Sequence, residues 1–320
     1  MTERPTKTTE SEASCKTAQG APNKLTLKGL PLKRVGRKDV MIIAQITDLH
    51  IGFGGPNQTC ENTNRLKAVI AELNSLIAQP DLVLITGDLV EGGELWAYKN
   101  LKSELEHLNA PYYLALGNHD QRAAFQATFE DIPFTDGFLQ YTIENWPLRI
   151  VVLDSLHEGR HGGAFCERRA KWLKETLAQD RDRPTLIALH HPPIETGIAW
   201  MTASKEDTWA QRLEGIISEH NNIVQIISGH IHRTIFKRFA GTLVSVTQAV
   251  APQVKLELAD IDPDKPDNRV LLNDGRAAYS LHHWQDGALT THHAAAPEGR
   301  TIVRYDEAHA SVVRKTLDLS

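Results

Sequence analysis

Five short polar clusters each stand at the end of an apolar run: Asp48-Leu-His50, Gly87-Asp88, Gly117-Asn118-His119-Asp120, His190-His191-Pro192 and Gly229-His230-Ile-His232. Carboxylate, amide and imidazole are side chains that ligate divalent cations. The last cluster sharpens the point. It follows Ile223-Val-Gln-Ile-Ile-Ser228, which reads as a buried strand, and strand side chains alternate sides. If the extended backbone continues, His230 and His232 point to one spot, where a metal or a phosphate would sit. Short motifs match by chance, and the chain has 15 histidines, so one cluster alone is weak. Five in the same relative position are not. The two histidines read as the completion of a metal site begun at Asp48.

The elements that must deliver these clusters are strands alternating with helices. Residues 42–47, 82–86, 112–116, 149–153, 185–189 and 223–228 read as strands. Residues 63–79 carry a helical stripe of Leu66, Val69, Ile70, Leu73, Leu76 and Ile77. Further helices are expected over 94–108, with Leu95 among its inward residues, and over 166–179 and 207–220. In α/β sheets, ligands bind beyond the carboxyl ends of strands, which is where the clusters stand. Glycine precedes the polar residue in three of them, as expected of tight turns. Beyond residue 228 the helical pattern stops. Residues 234–239 and 242–247 alternate around Ala240-Gly241, and 277–284 and 288–293 flank Gln285-Asp-Gly287, a hairpin signal. The expectation is an α/β fold with a mostly β end.

The chain of 320 residues is 41% hydrophobic and 23% charged, an ordinary globular composition with ample core. No apolar run approaches the ~18 residues of a membrane span. Residues 1–38 hold nine Lys/Arg and three Glu, net +6, which leaves −11 on the rest of a chain of net charge −5. An acidic body disfavours long nucleic acids as partners. Cys15, Cys60 and Cys166 form no framework, which suits a reducing, cytoplasmic setting. Residues 1–38 read as a disordered basic tail, either a true extension or sequence upstream of a start at Met41. The expected division is a tail over 1–38, a catalytic domain over 39–254, and a C-terminal β segment over 255–320. That segment, with Tyr279, Leu281 and His283 expected on one strand face and Ser280, His282 and Trp284 on the other, would form a substrate rim or a contact in a homo-oligomer.

In order, D-x-H, G-D, G-N-H-D, H-H-P-P and G-H-x-H resemble the calcineurin-like metallophosphoesterase superfamily over roughly residues 41–250. Within it, the short loops and His190-His-Pro-Pro-Ile-Glu-Thr-Gly197 resemble class III cyclic-nucleotide phosphodiesterases and bacterial glycerophosphodiesterases. The resemblance implies a four-layer α-β-β-α sandwich of two mixed sheets flanked by helices. It implies two divalent ions, one held by Asp48, His50 and His232, the other by Asn118, His190 and His230, with Asp88 bridging both. Mixed nitrogen and oxygen ligands suit Fe, Mn or Zn and leave the choice among them open. A metal-bridging hydroxide would attack the phosphorus. His119 would stabilise the phosphate and protonate the leaving alkoxide, or else orient Asp48 or Asp88. Asn118 would touch the substrate as well, and His161 would reach it from its loop. Asp120 reads as a turn carboxylate, His191 as structural and directed away from His190, and His282, His283, His292 and His293 as surface or packing residues.

Two departures narrow the class. The arginine that phosphoprotein phosphatases carry after the second motif is missing from Gly87-Asp-Leu-Val-Glu-Gly-Gly93. Where purple acid phosphatases place a tyrosine ligand, this chain has Glu91. The second departure means that no Fe(III)–phenolate is expected; the first disfavours monoester dianions and fits small phosphodiesters, and with the resemblance it makes 3′,5′-cyclic nucleotides (cyclic AMP) the expected substrate. A glycerophosphodiester or broad-specificity phosphodiesterase is the alternative, and a nuclease or a non-catalytic scaffold ranks below these.

Overall fold

The computed structural model describes residues 40–56, 61–297 and 299–318; the tail and Cys60 lie outside them. Thirteen strands are described. A five-stranded sheet has the order β13-β12-β1-β2-β3 and a six-stranded sheet the order β4-β5-β6-β7-β9-β8. The first is built from β1 (Met41–Ile46), β2 (Leu82–Thr86) and β3 (Tyr112–Ala115), all parallel, with β12 (Ala277–Gln285) antiparallel to β1 and β13 (Ala288–Ala296) at the edge. The second takes β4 (Tyr141–Ile143), β5 (Arg149–Val152), β6 (Thr185–Ala188), β7 (Ile223–Ser228), β8 (Ile235–Phe239) and β9 (Thr242–Val246). Both sheets are mixed. β10 (Gln253–Val254) and β11 (Leu272–Asn273) form a separate pair.

Helices cover the sheets. α1 (Glu61–Ser75) and α2 (Leu95–Leu105) pack with the first, while α4 (Glu167–Ala178) and α5 (Thr208–Ile217) pack on the second. Successive residues of β5 show the layering. Ile150 and Val152 join the core that contains the first sheet, whereas Val151 joins Trp172 and Leu213 under the outer helices. Buried on both faces, such strands read as unbroken apolar runs. Two short elements carried no clear pattern in the sequence, α3 (Arg122–Thr128) and β4; α6 (Ala310–Thr316) buries no residue.

The helix expected over 63–79 ends early. Ile77 is fully exposed, not inward, and Leu95, at the first turn of α2, is 42% exposed. Pro80 disfavours helix at the residue before it. The Gln79 amide donates to the carbonyls of Asn74 and Leu76 and so satisfies the frayed end.

The C-terminal hairpin is part of the first sheet. β12 pairs with β1 from Met41↔Trp284 to Gln45↔Ser280. Tyr279 and Trp284 are 1% and 4% exposed, so the aromatics expected to be free for a partner chain are spent on the chain's own core. Exposed apolar residues gather instead near β10 and β11, at Leu256, Leu258, Val270, Leu271 and Leu272. Between the sheets runs a polar seam. Gln45 accepts from Thr247 (2.7 Å) and His282 (3.0 Å) and donates to Thr86 Oγ1 (2.9 Å) and the Ser228 carbonyl (3.0 Å). His282, fully buried, takes its other bond from Thr291 (2.8 Å). Among the described residues no helix is long and apolar enough to cross a membrane.

Candidate metal centre

The five clusters meet at one end of the paired sheets. Their backbones are locked together: Asp48 N–H donates to Gly87 O, Leu49 and His50 N–H to Asp88 O, and Gly229 N–H to His190 O. Asp48, His50, Asp88, His230 and His232 all lie in the left-handed region, with φ of 53°, 45°, 47°, 72° and 53°. Each such residue costs of order 1–3 kcal/mol and persists only where its surroundings impose it. This also corrects the reading of His230 and His232. The strand stops at Ser228 and both histidines lie in left-handed backbone; they do not share one spot, since His230 stands beside His190 and His191 and His232 beside Asp48 and His50. The glycines divide likewise. Gly87, at φ +96°, serves a turn, but Gly117 and Gly229 serve close approach. A Cβ on Gly117 would lie 2.2 Å from Asp88 Oδ1, and one on Gly229 1.9 Å from Thr47 Oγ1.

Three imidazoles are oriented by the same device. His50 Nδ1 donates to Glu91 Oε2 (2.6 Å), His190 Nδ1 to the Thr86 carbonyl (2.8 Å) and His232 Nδ1 to the Pro252 carbonyl (2.6 Å). Each Nε2 therefore points inward. His50 Nε2 lies 3.2 Å from His232 Nε2, which is 3.3 Å from Asp48 Oδ1. His190 Nε2 lies 3.2 Å from Asn118 Oδ1 and 3.3 Å from Asp88 Oδ2, and the same Oδ2 is 3.6 Å from His50 Nε2. Ligands about 2.0–2.2 Å from one tetrahedral ion stand about 3.3–3.6 Å apart, and these spacings match that separation. The donor atoms gather in four groups: Asp48, His50 and His232; Asp48, Asp88 and His190; His50, Asp88 and His119; and His190, His191 and His230.

Electrostatics say the same. Burial raises Asp48 and Asp88, but their histidine neighbours more than offset it and hold both carboxyls below the usual range. Burial lowers His190, and Asp88 with Asp48 overcomes it, lifting the ring to about 9. A buried group of carboxylates thus draws positive charge, as protons or as metal. His230, buried beside His191, His190 and His161, is held well below its ordinary value and stays neutral. Neutral imidazole is the ligating form.

Around the donors stand the remaining residues. His119 Nδ1 donates to the Glu91 carbonyl (2.7 Å), its backbone N–H donates to Asp88 Oδ1 (2.9 Å), and its ring meets that of His50 edge-on at 4.5 Å. His119 faces a cavity of about 570 Å³ shared with Asn118, Gln121, Glu158, Arg160 and His161. The ring of His161 lies 4.7 Å from that of His230. His191 does not turn fully away from His190, since the rings touch edge-on at 4.8 Å. Its Nδ1 accepts from Ser155 Oγ (2.8 Å) and its Nε2 donates to the His161 carbonyl (3.2 Å), which leaves no lone pair for a metal. Asp120 accepts from the N–H groups of Gly117 and Leu89 and from the Tyr98 hydroxyl (2.9 Å). Burial and the nearby Asp88 raise it to about 7. It braces two site loops. Sequence reasoning read Glu91 only as the lack of a tyrosine and missed its contact with His50. Its place three residues after Asp88 was the available signal.

With this geometry in view, the relatives are informative. A family model described as calcineurin-like phosphoesterase matches residues 41–234. A probable glycerophosphodiester phosphodiesterase from Arcobacter nitrofigilis is 29% identical over 79% of this chain and 92% of its own length. A probable cyclic nucleotide phosphodiesterase from Rhodopseudomonas palustris is 35% identical over 67% of this chain and 79% of its own. The 3′,5′-cyclic adenosine monophosphate phosphodiesterase of Escherichia coli K12 is 27% identical over 82% and 92%. The fold is similar to that of a dimetal phosphatase from Danio rerio, with a TM-score of 0.60, 14% identity, and coverage of 83% of this chain and 99% of that one.

Proposed function

The chain belongs to the calcineurin-like phosphoesterase family, and from that premise we propose that it hydrolyses small phosphodiesters, 3′,5′-cyclic nucleotides such as cyclic AMP first among them, at a centre of two divalent ions. The observation that carries the two-ion reading is Asp88 Oδ2, which lies between His50 Nε2 and His190 Nε2 at 3.6 and 3.3 Å. Asp48, His50 and His232 hold one ion in this reading, Asn118, His190 and His230 the other, and Asp88 both. When bound, the ions supply a water acidic enough to act at neutral pH and neutralise charge on the phosphoryl oxygens. The choice among Fe, Mn and Zn stays open.

The protein's own groups do the rest. Asn118 and His161 contact the phosphodiester from the cavity side. His119, with its Nδ1–H fixed on the Glu91 carbonyl, presents Nε2 to the cavity. A proton on Nε2 passes to the departing alkoxide, the work of a general acid. The glycerophosphodiester reading has its own support in the Arcobacter nitrofigilis relative, which matches more of the chain than the Rhodopseudomonas palustris one. The same centre serves either diester. A panel of cyclic AMP, cyclic GMP, 2′,3′-cyclic nucleotides, glycerophosphoethanolamine and an aryl diester, with the matching monoesters, decides between them on metal-reconstituted protein. Cyclic AMP is expected to give the highest kcat/KM. Monoesters outrunning all diesters would refute the proposal. The chain is proposed to work as a homo-oligomer, with the exposed leucines near β10 and β11 as the contact. A monomer in light scattering at micromolar concentration would refute that.

A further inference from the structure

Residue 91 joins three of the site loops, and it does so with two different oxygens. The path begins with backbone. Segment 88–91 runs beside segment 48–51: Val90 and Ile51 form a parallel bridge, Ile51 N–H donates to Leu89 O, and Glu91 N–H donates to Ile51 O (3.0 Å). This ladder fixes where the Glu91 side chain starts relative to His50, and its Oε2 meets His50 Nδ1 at 2.6 Å. The Glu91 carbonyl faces the third loop and takes the Nδ1–H of His119 at 2.7 Å. The carboxylate itself stands farther from that ring, at 3.8 Å.

We infer that Glu91 is a positioning residue for the metal centre: its carboxylate fixes His50 in the Nδ1–H form and strengthens Nε2 as a metal donor, while its carbonyl independently orients His119. His50 is the one imidazole of the proposed ligand set seen to donate to a charged acceptor. His190 and His232 donate to carbonyls. A carboxylate on the far nitrogen of an imidazole raises the basicity of the near one, and losing such a partner costs about 10–100-fold in metal affinity. Glu91 also occupies the position that, in the tyrosine-bearing sets, ligates directly. Here the same place in the loop reaches the centre only through the ring of a histidine. The inference rests on the two-ion reading for what His50 binds, but not on which diester is cleaved.

The test uses the full chain, freed of metal, as wild type and as Glu91→Ala, Glu91→Gln and Glu91→Asp. Calorimetric titration with Mn²⁺ reads affinity without any substrate, and long-range ¹H–¹⁵N spectra of the histidine rings read tautomers. Glu91→Ala is expected to lose about 10–100-fold in affinity for one equivalent and to release His50 from the Nδ1–H form. Glu91→Gln, which keeps an acceptor without the charge, should keep the tautomer and fall between in affinity. If the alanine variant does not fold, the glutamine variant carries the test through its affinity alone. Unchanged affinity and an unchanged His50 tautomer in a folded variant would overturn the inference. So would a change in leaving-group dependence like that of His119→Ala, because the backbone anchor of His119 survives every one of these substitutions. Wild type that binds Mn²⁺ but cleaves no diester would refute the proposed function and leave this inference standing.

Discussion

Two buried polar clusters lie between the same pair of sheets, and they are built on opposite principles. In the seam, Gln45, Thr247, Ser280 and His282 each find protein partners for their side-chain groups at 2.7–3.0 Å. Donors meet acceptors, and burial holds His282 neutral, down at about 3. At the metal centre the outer nitrogens of His50, His190 and His232 are satisfied just as carefully, yet their inner nitrogens and the carboxylate oxygens of Asp48 and Asp88 converge with no positive charge among them but what they take up as protons or cations. The Nε2 atoms of His50 and His232 stand 3.2 Å apart with carboxylate oxygens 3.3–3.6 Å from the inner nitrogens. A buried polar network is stable when complete and costly when half complete. The seam is complete as protein. The centre is complete only once it takes up protons or cations, and that contrast separates a structural polar core from a candidate binding site without reference to any motif.

The comparison can be broken or sharpened by experiment. Asp88→Ala should have the largest effect, loss of both ions and of all turnover, because one oxygen lies between His50 and His190. Metal analysis that still finds two equivalents per chain would end the bridging assignment. His119→Ala should retain its metals and lose about 10²–10⁴-fold on diesters with poor leaving groups, and far less on aryl esters. Equal losses would move His119 from proton donor to phosphate contact.

Next in size is the competition between protons and metal. His190 is raised to about 9 in the metal-free protein, so an ion must displace its proton at neutral pH. Apparent affinity should climb about tenfold per pH unit between pH 7 and 9, roughly a hundredfold in all. Equilibrium dialysis across that range checks it, and a flat profile would remove the proton from the site.

The smallest effect belongs to the seam and runs in another window. His282 has a folded value near 3 against 6.5 unperturbed. Below pH 6.5 the unfolded chain takes up a proton that the folded one refuses, so stability falls as pH drops towards 3. The loss from this ring is about 2 kcal/mol by pH 5. His282→Gln should flatten the urea midpoint between pH 6.5 and 4 and leave metal content untouched. An unchanged slope would show that the seam is not the acid-sensitive cluster.

Much of this was legible in the sequence, for a physical reason. A strand buried on both faces is an unbroken apolar run, so a carboxylate or imidazole at its end stands out, and Asp48, Asp88, Asn118, His190 and His230 did. Helical stripes placed α1, α2, α4 and α5 within a few residues. What the sequence hid was conformation and long-range pairing. Left-handed φ at His230 and His232 leaves no composition signal at a non-glycine residue. Glu91 and the carbonyls of Thr86 and Pro252 act on rings far away in the chain, and a carbonyl has no letter of its own. The alternation in 277–285 showed a strand but not its neighbour, so Trp284 looked free for a partner when Met41 already opposed it.

That pairing has a consequence for how the molecule is made. β1 is among the first strands to leave the ribosome, and the partner for one of its edges is β12. At about 5–20 residues per second, the chain between Met41 and Trp284 takes roughly 10–50 s to appear. Through that interval β1 has an open edge, and Gln45 waits for Thr247 and His282. The polar glutamine in the middle of an apolar strand then does a second service, since it makes that exposed edge a poor template for a neighbouring nascent chain. A polypeptide stopped at residue 254 would keep all seven proposed metal ligands and never close its first sheet.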